Sequence, residues 1–526
     1  MVIEGCHEGK HTPRLTEVKC PKCGEWVDVF IHMGGRPGQT GTLASDEKCT
    51  CGNIQPAGSY ETDYEQKTGG VTMGYSLRQT EFDPQKQGWE YNYFTPAVWD
   101  AYPFAKEENL RWFRDAKFGL FLHVGIAAMG MVDISWSRNT HKLPDPEIWS
   151  GGIPDEVYDG WAKELAFEAF DAKQWAALAR ESGFQYVVII TKHHDGFHMW
   201  DTAYSDYKIT NAPFGRDYLR ELVDAFREEG LKIGFYYSQR DWTHPDYEPV
   251  PVEDAIRTDA APYFQMKDGK DWYLTEKHKR YQQYMYNTVR ELMTAYGKID
   301  VLWWDADCCC GMYTAEMWNT GEVEAMARQL QPHIIINNRG SVPGDFDTPE
   351  GHTGFFQNHR PWECCMPLGP VWAYSPEPPK PFVTVLSQFN NCAGGSGNYL
   401  LSIGCKPDGS IADTDAQRMR EMGQWLSKYG ESVFETAGGI WKPTEDYAAC
   451  FRGNTVYLHI LKNGEQIELS LPMEKNRLVD YASMTGETVQ LQVEEGRLVV
   501  RVEGKQKDCV DTVIKLSLAE RAVMEE

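Results

Sequence analysis

From about residue 108 onward the chain repeats one unit, a short apolar run followed by an amphipathic helix. KFGLFLHVG (117–125), YVVIITKHHDG (186–196), LKIGFYYSQRDW (231–242), IDVLWWDAD (299–307) and HIIINNRG (333–340) read as strands. Between them AKQWAALARESG, DYLRELVDAFREEG, the run from Lys277 to Gly297 and AEMWNTGEVEAMARQLQ place apolar residues at helical spacing, each closing at or near Gly or Pro. Strands this apolar must be covered on both faces. Their alternation with helices therefore predicts a parallel sheet with helices outside, and at this length an α/β fold of the (β/α)8-like barrel type ahead of an open sheet.

The pattern changes on either side of the barrel. After about residue 430, ACFRGNTVYLHIL, EQIELSLP, ETVQLQVEEG and GRLVVRVEG alternate polar and apolar residues between turns, which predicts a C-terminal antiparallel β-sandwich. Near the N-terminus CPKCG at Cys20 and Cys23 and CTCG at Cys49 and Cys51 form two thiol pairs on tight glycine-bearing turns, joined by a strand-like segment. Such pairs can close a tetrahedral four-thiolate site, so a small zinc-ribbon-like segment with a structural Zn2+ is expected. Four free thiols, or a ligand set that draws in Cys6, His7 or His11, are the competing readings. The resulting division is a Cys-rich segment over 1–70, a linking and packing segment over 71–107, a catalytic barrel over 108–430 and the sandwich over 431–526.

A formal net charge of -25 disfavours nucleic acid and anionic membrane as partners, because phosphate attracts Lys and Arg. The start MVIEGCHEGKHTPRL has no apolar signal core and no run reaches 18 apolar residues, so a cytoplasmic protein acting on a small molecule or oligosaccharide is expected, its oligomeric state left open. In that setting the 14 cysteines read as reduced thiols or metal ligands rather than disulfides.

Reacting groups of a parallel barrel gather at the carboxyl ends of its strands. The five runs end in His123; in His193, His194 and Asp195; in Tyr236, Tyr237, Asp241 and Trp242; in Asp305 and Asp307; and in Asn338 and Arg339. Glu350 follows in GDFDTPEG, and Trp362 with Glu363 in RPWEC. Aromatic faces stack on the C–H side of a sugar ring while His, Asn and Arg address its hydroxyls. Two carboxylates then suffice for hydrolysis, about 5 to 5.5 Å apart where the mechanism retains configuration.

In this order RDAKFGLFLHVG, TKHHDGF, GFYYSQRDW, IDVLWWDAD, NNRG, DTPEG, PWE and GNYLLSIGCKPDGSI resemble glycoside hydrolase family 29, the retaining α-L-fucosidases, over about residues 108–430. The resemblance implies a barrel plus β-sandwich, a retaining exo-glycosidase working by double displacement on α-L-fucosides or a closely related sugar, and no cofactor for catalysis. It matches Asp305 to the nucleophile and Glu350 to the acid/base, with Glu363 as the substitute. It matches His123, His193, His194, Tyr236 and Arg339 to sugar-contacting positions, with Trp242 and Trp136 lining the pocket. Trp303 and Trp304 read as barrel core.

Two departures bear on the sugar. The family usually has His-Trp-Gly where this chain has His123-Val124-Gly125, and commonly Glu-Trp-Tyr where it has Ser135-Trp136-Ser137, with Asp133 nearby as a compensating carboxylate. Two rival functions are a metal-dependent hydrolase on the same barrel and a carbohydrate-binding protein without turnover. Against the first, adjacent residues of an extended strand face opposite ways, and H-x-H or E-x-x-H spacing is absent from the strand ends.

If Cys20, Cys23, Cys49 and Cys51 hold one ion, elemental analysis of protein purified without chelator should find about one zinc per chain, and Cys20→Ser should lower stability before it touches intrinsic chemistry. Metal-free protein would overturn the zinc expectation.

Overall fold

The computed structural model describes residues 96–142, 151–249, 275–305, 314–357, 360–462, 464, 466–473, 477–503 and 510–523, together with backbone strands at 13–19, 26–32, 41–42, 47–48, 54–55, 59–60, 255–257 and 264–266. Cys20, Cys23, Cys49 and Cys51 lie outside the described residues, as do Asp307 and Cys308 to Cys310.

Seven parallel strands form the central sheet: β1 (Phe118–Leu122), β2 (Tyr186–Lys192), β3 (Lys232–Ser238), β4 (Val301–Asp305), β5 (Ile335–Ile336), β6 (Glu363–Pro367) and β7 (Asn398–Ile403). Their order is β5-β4-β3-β2-β1-β7-β6. Between the outer strands β5 and β6 runs a stretch too irregular to be a strand. It bridges both sides in parallel, Asn337 to Phe346 on one and Asp347 to Trp362 and Glu350 to Cys365 on the other. Hydrogen bonds from Asp345 N to Ile336 O (2.6 Å) and from Glu363 N to Asp347 O (2.8 Å) fix it there. Residues 346–350 thus take an eighth position, and the sheet curls into an α/β barrel-like domain.

The strands are near-continuous apolar runs because both faces are covered, and every residue of β1 and β2 is buried. Helices α1 (Glu107–Ala116), α2 (Ala172–Glu181), α3 (Tyr218–Glu228), α4 (Glu276–Ala295), α5 (Thr320–Leu330), α6 (Phe382–Gly394) and α7 (Asp413–Tyr429) accompany the barrel. Side chains cap the starts of three: Asp171 accepts from Lys173 N (2.9 Å), Asp217 from Arg220 N (2.9 Å) and Thr275 from His278 N (3.2 Å). The stretch AEMWNTGEVEAMARQLQ, expected as one helix, is two, Ala315–Trp318 and α5. Asn319 breaks it at φ 58°, a left-handed conformation that Asn tolerates better than most residues.

The C-terminal part contains a five-stranded antiparallel sheet ordered β8 (Ala437–Gly438), β9 (Tyr447–Arg452), β10 (Thr455–Ile460), β15 (Thr512–Leu518), β12 (Leu478–Ser483), and a three-stranded one ordered β11 (Gln466–Pro472), β14 (Arg497–Glu503), β13 (Thr488–Glu494). In β11 Ile467, Leu469 and Leu471 alternate inward and join Leu458, Val500 and Ile514 in one buried cluster. Three strands are not legible from alternation, β8, β12 and β15. The barrel core reaches this part through Cys450 and Val513.

A buried polar link joins the two. Asn390 of α6 donates to Asp511 Oδ2 (2.9 Å), which also lies 2.8 Å from Nδ1 of His459 on β10. Asp511 raises the His459 imidazole from 6.5 to about 10 against the opposing effect of burial. A base raised in this way stabilises the fold fully below its unfolded value and loses that contribution as pH climbs through the folded one. Thermal stability should therefore decline between pH 6.5 and 10, and Asp511→Ala should cost about 1–3 kcal/mol at neutral pH by taking a buried acceptor from Asn390 and from a His459 ring that then turns neutral. Thermal scans of both proteins across that range test this; a variant as stable as the wild type would contradict it.

Candidate active site

At the carboxyl ends of the strands a small recess, partly open to solvent, is lined by Phe121, His123, Trp136, His193, His194, Tyr236, Arg240, Trp303, Asp305, Arg339, Glu350, Cys365 and Trp372. Asp305 is the last residue of β4, and both its oxygens are held. Tyr236 OH donates to Oδ2 (2.6 Å) and Arg339 Nη1 to Oδ1 (3.0 Å). The other arm of the same guanidinium, Nη2, donates to Glu350 Oε2 (3.0 Å). Arg339 is itself fixed from behind, Nε to Thr348 Oγ1 (2.9 Å) and Nη2 to Thr348 O (3.1 Å). One planar fork thus sits between two carboxylates, each 18% exposed at its side chain while Arg339 is 5% exposed.

His193 and His194 both line the recess, which corrects the expectation that neighbours on an extended strand face opposite ways. The register of β2 against β3 shifts between Ile190 and Lys192, and the strand ends at Lys192, so the alternation no longer applies to the two histidines. Burial lowers His123, His193 and His194 well below their usual value, which leaves three neutral rings. Their neighbours set two of the tautomers. Ser402 Oγ donates to Trp372 O (3.0 Å), so His123 Nδ1–H donates to Ser402 (2.7 Å) and Nε2 keeps its lone pair. Ser238 Oγ donates to Arg240 O (3.1 Å), which gives His194 the same tautomer across a 2.6 Å contact. Ser135 Oγ takes the Asp195 N–H (3.0 Å) and lies 2.7 Å from His193 Nδ1. The recess therefore offers two ring acceptors beside a third imidazole, a set suited to hydroxyls.

Trp136 lines the recess, 5.1 Å ring to ring from His194. Trp242 does not. It is 1% exposed and stacks on His141 behind Trp136. Glu363 is also absent from the lining and wholly buried, its Oε1 accepting from Trp303 Nε1 (2.9 Å) and its Oε2 from Tyr186 OH. Asp195 caps its turn by accepting from Phe197 N and Tyr158 OH, both at 3.0 Å. Asp133 accepts from the amides of Trp372 (3.1 Å) and Ile134 (3.0 Å), so it tethers the Trp372 loop rather than lining the recess in place of a glutamate.

Sequence reasoning singled out neither Trp372 nor Arg240, and it read Ser135 only as a departure from the family pattern, without its contact to His193. Trp372 lies in the loop GPVWAYSPEPP, whose Pro and Gly conceal any period, and Ser135 turns inward through a φ of 58° that no pattern announces.

His193, His194 and Asp305 bring ligand atoms within 4.8 Å of one another, a spacing near what a metal ion needs. Both Asp305 oxygens, however, already accept hydrogen bonds, and the Arg339 charge at 3.0 Å opposes a dication. What remains is a carboxylate aimed into a small polar and aromatic recess, with a second carboxylate across one arginine.

Solved structures share this fold, and related proteins align with the sequence. Alpha-L-fucosidase isoenzyme 1 from Paenibacillus thiaminolyticus is 32% identical, with a TM-score of 0.65 over 79% of this chain and 99% of that one. The Thermotoga maritima alpha-fucosidase is 26% identical, with a TM-score of 0.61 over 77% of this chain and 96% of that one. Human plasma alpha-L-fucosidase is 29% identical over 359 residues, 64% of this chain and 71% of that protein. The family model described as Alpha-L-fucosidase matches residues 89–431, the barrel and every strand end described above, and the chain belongs to that family.

Proposed function

We propose that this chain is a glycoside hydrolase that cleaves terminal α-L-fucosides with retention of configuration, Asp305 serving as nucleophile and Glu350 as acid/base. The arginine fork that holds both carboxylates carries the reading. Asp305 is kept in place by Arg339 and Tyr236 with its head in the recess, the arrangement a nucleophile needs for in-line attack on an anomeric carbon. In the first step a Asp305 oxygen forms a bond to the anomeric carbon as the glycosidic bond breaks, and Glu350 gives its proton to the departing oxygen. In the second, Glu350 takes a proton from water, whose oxygen displaces Asp305 and restores both carboxyl groups. His123, His193 and His194 address the sugar hydroxyls, and Trp136, Trp303 and Trp372 supply aromatic walls.

Placement favours Glu350 over Glu363. Glu350 stands at the recess with its carboxyl on Arg339, whereas Glu363 lies buried under Trp303 with both oxygens engaged. The remaining parts of the reading are a β-sandwich over 431–526, supported by the two antiparallel sheets around one buried cluster, and a structural zinc on Cys20, Cys23, Cys49 and Cys51, supported by their spacing. A cytoplasmic setting is supported by the free thiols of Cys364, Cys365, Cys392, Cys405 and Cys450.

A panel of nitrophenyl glycosides separates turnover from mere binding, and two variants then separate the carboxylates. Asp305→Ala should all but abolish turnover on every substrate, and azide should restore it with a glycosyl azide of inverted configuration. Glu350→Ala should spare glycosylation by nitrophenyl fucoside, slow poor leaving groups by about 10²–10⁴-fold, and yield an azide of retained configuration. Turnover surviving in Asp305→Ala would overturn the mechanism. Full activity of Glu350→Ala on a poor leaving group would overturn the acid/base assignment.

A further inference from the structure

Beneath the recess lies a carboxyl group that the reaction does not touch. Glu363 opens β6, is wholly buried, and is matched on both oxygens by donors from two other strands, Trp303 of β4 (Nε1 to Oε1, 2.9 Å) and Tyr186 of β2. The Tyr186 ring is itself seated on bare backbone: a Cβ at Gly119 of β1 would fall 2.2 Å from its Cζ. The carboxyl is costly to keep here, since burial pushes it up to about 7 against the lowering effect of Tyr186, Trp303 and the Arg339 charge; Cys365 of the same strand is the other titratable group beside it. An apolar side chain of similar volume would fill such a site at less expense in stability.

The indole that Glu363 grips has a second task. Arg339 Cζ lies 4.7 Å from the Trp303 ring centroid, and the Tyr236 ring stacks on the same indole at 5.5 Å and 21°. These two residues are the ones that donate to Asp305, and Arg339 also donates to Glu350. An indole free to rotate about its side-chain bonds would move the support under both donors at once. Resting on the proposed fucosidase reaction, we propose that Glu363 is a positioning residue: by fixing the Trp303 indole it sets where Arg339 and Tyr236 hold the reacting carboxylates.

The test is a double-mutant cycle on nitrophenyl fucoside with the full chain, using Glu363→Met, Trp303→Phe and the pair. Glu363→Met keeps the volume and removes the acceptor, which a glutamine amide would have kept. Trp303→Phe keeps an aromatic ring and removes the N–H that Glu363 accepts. Each single variant should lower kcat by about 10- to 100-fold, as expected for a displaced reacting group, and Glu363→Met, whose site lies outside the recess, should hold KM within about 3-fold of the wild type. The pair should lose no more than the worse single variant, because both changes break one link. A merely structural role would show instead as losses that multiply and track thermal stability. Tyr186→Phe, which removes the other donor, covers the case in which Glu363→Met does not fold, and it should lower kcat in the same direction. Wild-type kcat in Glu363→Met, wild-type kcat in both Trp303→Phe and Tyr186→Phe, or multiplying losses in the pair would overturn the proposal while leaving the fucosidase reading intact. A wild type without turnover overturns both.

Discussion

Two carboxylates sharing one guanidinium is the interaction on which the site depends. A charge in a partly buried recess is screened far less than in water, so the guanidinium acts strongly on the carboxyls beside it. Arg339 stands between them, and its rigid fork also sets the angle of each in a way that the point charge of a lysine could not. Much of the surrounding structure serves to keep that fork still. Thr348 holds it from behind and Trp303 supports its face. The strand that delivers Asp305 ends at that residue.

The same economy governs the imidazoles. Each ring nitrogen that faces away from the recess meets a serine hydroxyl, Ser402, Ser135 or Ser238, and at Ser402 and Ser238 the hydroxyl's own second bond decides which nitrogen carries the hydrogen. Specificity toward hydroxyls is thereby written in residues that never line the recess. The change at Ser135 relative to the family pattern gains a physical meaning from this. A short hydroxyl at that place anchors His193 and the Asp195 turn, and brings no carboxylate to the sugar.

The sequence made some of this legible and hid the rest. Runs such as YVVIITK and VLWWD announce buried parallel strands because nothing else is apolar for so short a length between helices, and the residues that follow them then fall at one end of a barrel. That logic reached Asp305, His123, His193, His194, Tyr236 and Arg339. It erred on Trp242, since a strand-end indole can turn behind the wall as readily as into the recess, and only packing against His141 decides. It could not see residues 346–350 as part of the barrel wall, because GDFDTPEG carries turn residues and no alternation, and its pairing comes wholly from its neighbours. Nor could it separate Glu350 from Glu363, two carboxylates in polar surroundings whose depths differ only in three dimensions.

That irregular stretch has a consequence for motion. A regular barrel closes with a full ladder at every seam, but here the seam between β5 and β6 is stitched by single bridges, and Glu350 rides on one of them, opposite Cys365. Segments with few backbone hydrogen bonds open at a lower free energy than the ladders around them. Under the proposed roles the nucleophile therefore stands at the end of a laddered strand and the proton carrier on a seam held by fewer backbone bonds. A group that must first give a proton upward to a leaving oxygen and then take one from water has use for that play, while a carbon–oxygen bond formed at a fixed point has none.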